Sequence, residues 1–488
     1  MLDLTNLLKK LYKKPATINA SINKIIKPLN KKVEWSEKDI ILITYADVLN
    51  NNIKNVVKKI KDTKINSIHI LPFHPYDDDR GFAITDYETV RKEVNSWNYL
   101  KELGEQYKLC FDLVLNHTST NHKWFKYYLN GKNNYYIDLK NFDSSKVFRP
   151  RTTSLTTKYR DKNIWTTFGP KQADLNYKNP EVLLEIIKIL QKYLENGASI
   201  IRFDAVAYIW KTTKTTCVHQ PQTYTLLKIF RKIIDYVKPG AILLTETNFP
   251  HEENISYLGE KKAHMIYQFP LPPLLIYSVL TNESINLANW IKTAYNKNHY
   301  LNFIAIHDGI GILPLSKLNI SLNLDDYVIS HGSQPYEINN TLTSILNNSF
   351  EKFFLIHALM LSLKGIPAIY FNSLFGVEDD FEEFEKTQIK RNLNRKKFKT
   401  IRKNKYYMAL KKLIELRSST KELSPEITQK IISKEPLVIK RGSLLIIANF
   451  KEQKIKTNYK NKFDLIQNKF HKKIILKPYQ IMWLKEQI

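Results

Sequence analysis

An arginine and an aspartate stand two residues apart in the apolar stretch IIRFDAVA, residues 200–207. Side chains at positions i and i+2 of a strand point to the same face, so Arg202 and Asp204 would lie side by side. Burying an ionised pair costs several kcal/mol unless the charges are matched and hydrogen-bonded. The pattern therefore indicates either a structural ion pair at a strand end or a pair with a chemical role.

Other polar residues also follow apolar runs, namely Asp112, Asn116, His117, Glu246, His307 and Asp308. Two carboxylates flanking one bond suit glycosyl transfer, because one can attack the anomeric carbon while the other protonates the leaving oxygen. Arg202 would hold Asp204 ionised as a nucleophile, and the apolar ILLT flank would raise the pKa of Glu246, as an acid requires. A metal site at Asp112, His117 and Asp308 is an alternative, although no close-spaced ligand motif supports it.

These residues end a series of short apolar strands, predicted at 40–47, 67–73, 109–117, 199–208, 241–248, 263–269, 301–308 and 365–372. Helical patterns such as PEVLLEIIKILQKYLENG separate the strands, which is typical of a parallel sheet. Eight such units predict an α/β fold of the (β/α)8 (TIM) barrel type. The active site of such a barrel lies at the C-terminal ends of the strands, so the polar residues would converge there.

The spacing of the strands also predicts the domain organisation. Residues 1–38 are predicted to form an N-terminal helical extension, and 39–430 the catalytic barrel. The connection between the third and fourth strands is longer than a helical crossover needs, which predicts an inserted subdomain at about 118–195. A long polar loop is expected at about 309–348, and the alternating strands of 431–488 predict a small antiparallel β domain.

The composition predicts a globular cytoplasmic protein. Apolar residues make up 43% of the 488 positions, but no run of about 18 apolar residues is present, and the N-terminus lacks the features of a signal peptide. We therefore expect no membrane partner. The two cysteines, Cys110 and Cys217, indicate neither a disulfide framework nor a zinc cluster.

The formal net charge of +28 invites a nucleic-acid or anionic-membrane interpretation. The lysines, however, are spread along the whole chain together with many Asn and Ile, as a drift toward A/T-rich codons would produce. We therefore expect no nucleic-acid partner, although a basic surface would attract an anionic substrate. A basic binding protein on an inactive barrel is the rival from another functional class, and the cluster of like-charged carboxylates argues against it.

Four segments, DLVLNH, IRFDAVAY, LLTETN and AIHDGIGI, resemble in order and spacing the motif regions of the α-amylase superfamily of retaining glycoside hydrolases and transglycosylases. Within it, LITYADVL, HILPFHPYDDDRGFAITDY, FRPRT, FPLPPLL and HDGIG resemble the sucrose phosphorylase group. The resemblance covers roughly residues 38–488. It implies a retaining glycoside phosphorylase, a hexosyltransferase, that acts without a cofactor and without the calcium common elsewhere in the superfamily.

The resemblance also implies roles for individual residues. Asp204 would be the nucleophile, Glu246 the general acid/base and Asp308 the third carboxylate, which stabilises the oxocarbenium-like transition state. The residues expected to bind the glucosyl ring are Asp86, His117, Arg202, His307 and Arg391. Those expected on the acceptor and phosphate side are Arg151, Tyr336 and Glu337.

The acceptor side departs from the sucrose phosphorylase pattern, which has glutamine at Glu337 and GRDINR where this chain reads KRNLNR. The segments RPRTTSLTT, WKTTKTTCVHQPQT, ETNFPHEENISY and PYEIN look more like the glucosylglycerate phosphorylase branch. This implies reversible phosphorolysis of 2-O-α-D-glucosyl-D-glycerate, with a small glucoside and inorganic phosphate as partners of a monomer or homodimer. The alternatives are a sucrose phosphorylase and an α-glucosidase or transglucosylase of the same superfamily.

Overall fold

Eight parallel strands close into a barrel in the computed structural model, which describes residues 1–140, 142–295, 299–318 and 320–486. The strands are β1 (Ile41–Thr44), β2 (Ser67–Ile70), β3 (Lys108–Val114), β4 (Ala198–Asp204), β5 (Ile242–Thr245), β6 (Met265–Tyr267), β7 (Tyr300–Asn302) and β8 (Ile366–Tyr370). Each strand pairs with its neighbours in sequence, and β8 closes on β1. The predicted (β/α)8 barrel is therefore confirmed, with one strand in each predicted segment.

The strands are almost wholly buried because helices cover the outside of the barrel. The α-helices of the described residues are Thr5–Leu8, Pro15–Ile25, Ile53–Ile60, Trp97–Gln106, Lys123–Leu129, Pro180–Glu195, Pro221–Val237, His251–Ile255, Leu271–Thr281, Ile285–Ala294, Leu342–Ile345, Phe350–Ser362, Phe371–Leu374, Phe381–Thr387 and Lys405–Ser419. The helix Pro180–Glu195 shows why they form. Its N-cap Asn179 accepts a hydrogen bond from the Glu181 N–H, proline occupies its first turn, and an apolar face is buried.

Short strands outside the barrel build the walls around its C-terminal end. Between β3 and β4, His117–Ser119 pairs antiparallel with Gln172–Asp174, and Thr156–Tyr159 pairs with Lys162–Trp165. After β7, a three-stranded sheet joins Ile310–Gly311, Pro335–Ile338 and Ile329–His331. These pairings fix the loops that carry His117 and Glu337 over the barrel.

The chain ends in a six-stranded antiparallel sheet, as predicted. Its strands are Gln429–Lys434, Leu437–Arg441, Leu444–Ala448, Ile455–Asp464, Lys469–Leu476 and Ile481–Glu486. The division into extension, barrel, insert and C-terminal domain stays a prediction, and residues 141, 319 and 487–488 of the predicted insert, long loop and C-terminal domain lie outside the described residues. Within the described ranges, no helix has the length and apolar character that crossing a membrane requires.

Candidate active site

A cleft opens at the C-terminal end of the barrel, where the sequence predicted an active site. Eight of the predicted site residues line it: His117, Arg151, Asp204, Glu246, Asp308, Tyr336, Glu337 and Arg391. Two others, Arg202 and His307, lie beneath its floor, each with only 1% of its surface exposed. The remaining one, Asp86, is not among the lining residues.

The register of β3 and β4 places Asp112 opposite Arg202. Nη1 of Arg202 donates to Oδ1 of Asp204 at 2.9 Å and also to Oδ1 of Asp112. Nε2 of His69 lies 2.7 Å from the other oxygen of Asp112. Burial alone would raise the pKa of Asp112, but His69 and Arg202 lower it to about 2. Arg202 is thus anchored by an ionised carboxylate and presents the same cation to Asp204.

Asp204 and Glu246 form a coupled pair of carboxyl groups. Burial raises the pKa of Asp204, and the charge of Glu246 raises it further, although Arg202 lowers it. Burial likewise raises the pKa of Glu246, as predicted. The expectation that Arg202 by itself holds Asp204 ionised is therefore wrong, because desolvation and the neighbouring carboxylate outweigh the arginine.

The hydrogen bonds decide which member of this pair carries a shared proton. Asp204 accepts from the Arg202 guanidinium, whereas the hydrogen bond that Glu246 accepts from the described residues comes from the backbone N–H of Ala205, at 3.3 Å. A charged donor stabilises a carboxylate more than a neutral one does. We therefore infer that the shared proton resides on Glu246, where it removes one of the charges that raise the pKa of Asp204 and leaves Arg202 as the charged partner of Asp204.

The third carboxylate, Asp308, lies in the opposite environment. Its Oδ1 is 2.8 Å from Nη1 of Arg391 and 3.1 Å from Nη2 of Arg395. Burial would raise the pKa of Asp308, but Arg391, His307 and Arg395 together hold it well below its usual range. Asp308 is thus held ionised by its arginine partners, whereas Glu246, which has no cationic partner among the described residues, retains a raised pKa.

Two buried histidines are held neutral beside these charges. Burial lowers the pKa of His117 to about 4 and lowers the pKa of His307 well below its ordinary value. The His307 ring stacks on Phe82 with a centroid separation of 5.2 Å, and its Nε2 lies 3.3 Å from Asp308. A neutral imidazole can still donate one hydrogen bond from a ring nitrogen.

Asp86, predicted to bind the ring, requires a correction. Its carboxylate closes a local turn by accepting from the Glu88 N–H at 2.8 Å and from Oγ1 of Thr89 at 2.7 Å. Another aspartate of the same loop, Asp79, lines the cleft instead and lies 3.4 Å from Arg395 and 3.7 Å from Arg391. The sequence analysis missed both Asp79 and Arg395.

The far side of the cleft carries the predicted acceptor residues. Glu337 binds Arg391 through two oxygens at 2.7 to 3.1 Å and lies 4.0 Å from Nη1 of Arg151. The Arg151 guanidinium lies over the Tyr336 ring, 5.7 Å from its centroid. Arg391 therefore forms close ion pairs with both Asp308 and Glu337, whereas Arg151 lies 4.0 Å from Glu337.

Two further polar side chains line this region and were not predicted. Oη of Tyr208 and Oδ1 of Asn248 are buried, and neither has a hydrogen-bond partner in the described part of the chain. Asn248 packs against Gly311, where a Cβ atom would lie 2.6 Å from its Oδ1. Their positions, four residues after Asp204 and two after Glu246, were the signal that could have identified them.

A buried ammonium group anchors the loop behind Tyr208. Lys211 is 4% exposed, and its Nζ lies 2.7 Å from Asp174 and 2.6 Å from Oδ1 of Asn116. It also donates to the backbone carbonyl of Tyr208. This network ties the start of the inserted segment to the loop that follows β4.

The metal alternative finds no support. Over the described ranges, no three His, Cys, Asp or Glu side chains are grouped so that they could hold a metal ion. Asp112 and Asp308 are each paired with arginine, as described above, so their oxygens already have cationic partners. The cleft is instead a set of carboxylates, arginines and neutral histidines.

The alpha-amylase family description, "Alpha amylase, catalytic domain", matches residues 51–310. The glucosylglycerate phosphorylase of Escherichia coli (strain K12) is 35% identical over 93% of this chain and 93% of that protein. The sucrose phosphorylase of Streptococcus mutans is 30% identical over 73% of this chain and 81% of that protein. A crystal structure of sucrose 6F-phosphate phosphorylase from Thermoanaerobacter thermosaccharolyticum shares the fold, with a TM-score of 0.77 and 24% identity over 91% of this chain and 98% of that chain. The chain therefore belongs to the α-amylase family.

Proposed function

We propose that the protein is a retaining glycoside phosphorylase that transfers an α-glucosyl unit between D-glycerate and inorganic phosphate. The observation that carries the proposal is the 35% identity, over nearly the whole of both chains, to a protein named glucosylglycerate phosphorylase. The partners of two carboxyl groups at the barrel's C-terminal end support it, because Asp204 accepts a hydrogen bond from the Arg202 guanidinium while burial raises the pKa of Glu246, and retaining glycosyl transfer needs one ionised and one protonated carboxyl group.

In the first step, an oxygen of ionised Asp204 attacks the anomeric carbon of the glucoside and forms a covalent ester. The bond from that carbon to the glycerate oxygen breaks, and Glu246 transfers its proton to this oxygen. Arg202 orients the attacking carboxylate through its 2.9 Å hydrogen bond. The raised pKa of Glu246 suits it to this donation, because the group must hold its proton until the bond breaks.

In the second step, a phosphate oxygen attacks the same carbon from the side that glycerate has left. The ester bond to Asp204 breaks, the phosphate proton passes to Glu246, and α-D-glucose 1-phosphate leaves. Two successive displacements retain the configuration of the anomeric carbon. All steps are reversible, so the same residues serve synthesis of the glucoside.

Positive charge develops on the sugar ring in both transition states, and ionised Asp308 stabilises it from the cleft wall. Asp79, His117 and Arg391 line the cleft and offer hydrogen bonds to ring hydroxyls. His307 is buried beside them, with its Nε2 3.3 Å from Asp308. Asp79 replaces Asp86 in the predicted set for the geometric reason given above.

Phosphate and glycerate share the region of Arg151, Tyr336 and Glu337 in this proposal. Both are anions, and Arg151 is the cation of the cleft that is not fully engaged by carboxylates. The unpartnered Tyr208 hydroxyl and Asn248 amide offer hydrogen bonds to the acceptor hydroxyls.

A sucrose phosphorylase remains the second candidate, because a protein of that name is 30% identical to this chain. Action in the cytoplasm on free small molecules is part of the proposal.

The first test incubates the purified protein and phosphate with either glucosylglycerate or sucrose, and measures release of glucose 1-phosphate. We expect release of the α-anomer from glucosylglycerate. The variant Asp204→Asn serves as the inactive control, since it lacks the nucleophile. Release from sucrose alone would overturn the acceptor assignment, and free glucose without dependence on phosphate would overturn the assignment as a phosphorylase.

A second test addresses Arg151. Losing a charge-assisted hydrogen bond costs about 1.5 to 3 kcal/mol, so Arg151→Gln should raise the KM for phosphate about 10- to 100-fold. Hydrolysis of the glucosyl-enzyme by water should change little, so the ratio of phosphorolysis to hydrolysis should fall. Arg149→Gln is the matched control, because Arg149 lies in the same segment but does not line the cleft. An equal effect of both variants would refute the phosphate contact.

A further inference from the structure

The positive charge of the chain has a local maximum away from the bottom of the cleft. Nine of the sixteen residues from 390 to 405 are lysine or arginine, and none is acidic. Arg391 lines the cleft and Arg395 contacts Asp308 there, whereas Lys397, Lys399, Lys403 and Lys405 are exposed. The helix Ile53–Ile60 faces this segment and carries Lys58 and Lys59 near its C-terminal end.

A cavity of about 390 Å³ lies between that helix and the basic segment. Four lysines line it, Lys58, Lys59, Lys399 and Lys403, together with the amides of Asn50 and Asn55. No acidic residue is among its lining residues, and it shares no residue with the catalytic cleft. Lysines that are spread evenly along a chain do not by themselves form a cavity that is lined by four lysines and no acidic residue.

Backbone contacts hold the two walls of this cavity together. The Asn50 N–H donates to the Phe398 carbonyl at 2.6 Å, the Phe398 N–H donates to the Val48 carbonyl at 2.8 Å, and Nζ of Lys59 donates to the Ile401 carbonyl at 2.7 Å. The cavity is therefore built before any ligand enters, and its lysines are held near one another despite their mutual repulsion.

Of the four lining lysines, Lys403 alone has an ion-pair partner among the described residues, and that partner is Asp62. Asp62 is engaged by Lys403 at 2.8 Å and by Lys411 at 3.0 Å. Lys58 and Lys399 are exposed, and within the described ranges neither has an ion-pair partner. Like charges held together repel one another, and a bound anion would relieve that repulsion.

We propose that this cavity binds a small organic molecule that carries two or more phosphate groups. Lysine ammonium groups bind phosphate as point charges, and Lys58 and Lys399, with Lys59 beside them, match more than one phosphate group. The Asn50 and Asn55 amides offer hydrogen bonds to the remainder of the ligand. The cavity volume lies in the range of small-molecule pockets, about 300 to 1,000 Å³. A nucleic-acid backbone would instead follow an extended basic stripe.

The test measures binding of tripolyphosphate to the whole protein by isothermal titration calorimetry at low ionic strength. The double variant Lys58→Gln/Lys399→Gln should weaken binding about tenfold, because it removes the two exposed lysines of the cavity that have no ion-pair partner among the described residues. A matched control, Lys460→Gln/Lys473→Gln, removes the same charge from two opposed lysines of the C-terminal sheet and should change binding less than twofold. Arg151→Gln removes the proposed phosphate contact of the catalytic cleft, and the weakening caused by the double variant should be the same in this background, because the two sites share no lining residue. Thermal unfolding verifies that all variants fold.

Three results would overturn the proposal. Equal weakening by the C-terminal control would mean that net charge alone attracts the probe. Loss of binding in Arg151→Gln, with none in the double variant, would place the probe in the catalytic cleft. A single-stranded oligonucleotide that binds far more tightly than tripolyphosphate through Lys58 and Lys399 would assign the surface to nucleic acid instead. None of these outcomes depends on the proposed phosphorylase activity.

Discussion

Replacing Lys211 by methionine should destabilise the protein far more than replacing Lys188, an exposed lysine whose ion pair has the same N–O distance. Lys211 and Asp174 are 2.7 Å apart with side chains 3% and 0% exposed, so the substitution leaves a buried carboxylate without its cation. Breaking such a pair costs about 3 to 5 kcal/mol. Lys188 and Glu185 are also 2.7 Å apart but 54% and 27% exposed, and an exposed pair contributes about 0 to 1 kcal/mol.

The shift in melting temperature follows from the size of the chain. An unfolding entropy of about 2.1 cal/mol/K per residue gives about 1 kcal/mol/K for 488 residues that unfold together. Lys211→Met should therefore lower Tm by about 3 to 5 °C, and Lys188→Met by about 1 °C at most.

Differential scanning calorimetry measures both shifts, and urea unfolding gives the free energies independently. The double variant Lys211→Met/Asp174→Asn should recover part of the loss, because it removes the unpaired charge. The single variant should also lower kcat/KM, since Lys211 holds the Tyr208 carbonyl at the cleft. Equal destabilisation by the Lys211 and Lys188 substitutions would refute the reasoning that burial, not distance, sets the strength of these pairs.

Three further predictions concern the cleft. Asp79→Asn should lower kcat/KM about 10- to 100-fold through weakened hydrogen bonds to the ring, whereas Asp86→Asn should change it less than about twofold; the reverse order would restore Asp86 to the site. Since Glu246 must be protonated for the first step, kcat/KM should fall as the pH rises through the raised pKa of Glu246. With a substrate whose activated leaving group needs no proton, the variant Glu246→Gln should not show this alkaline decrease in kcat/KM. Glu337→Gln should break the ion pair between Arg391 and Glu337 and shift the preference between glycerate and fructose as acceptors. An unchanged ratio of the kcat/KM values for the two acceptors would contradict an acceptor role of Glu337.

The barrel could be predicted because its strands are buried on both faces and therefore read as short continuous apolar runs. The three carboxylates could be predicted for the same reason, since a charged residue ending such a run is conspicuous. Asp204 directly ends β4, and Glu246 directly follows β5. Residues held by loops gave a weaker signal or none. The position of Tyr208, four residues after Asp204, could have indicated it, whereas Arg395 emerged only from the three-dimensional arrangement.

The choice between Asp79 and Asp86 shows why loops resist prediction. Both follow β2, but the threonine three residues after Asp86 captures its carboxylate in a local turn. Asp79 and Arg80 instead adopt left-handed backbone conformations, with φ of 44° and 45°, before Gly81. At Gly81 a Cβ would lie 2.8 Å from the Pro72 carbonyl oxygen, so glycine lets the chain fold back and turn Asp79 into the cleft. Thr89 could have indicated from the sequence that Asp86 forms a local turn, whereas nothing in the sequence indicated the left-handed conformations of Asp79 and Arg80.

The distribution of charge in the cleft also revises how an anionic acceptor would be attracted. The chain has a formal charge of +28, yet its cleft is lined by five carboxylates and only two arginines. Arg391 is occupied by Asp308 and Glu337, which leaves Arg151, 4.0 Å from Glu337, as the cation able to meet an incoming anion. At physiological salt, exposed charges act over only about 8 Å, so lysines on the distant surface contribute little at that point. The preference for an anionic acceptor therefore depends on one guanidinium and its loose carboxylate partner rather than on the net charge of the protein.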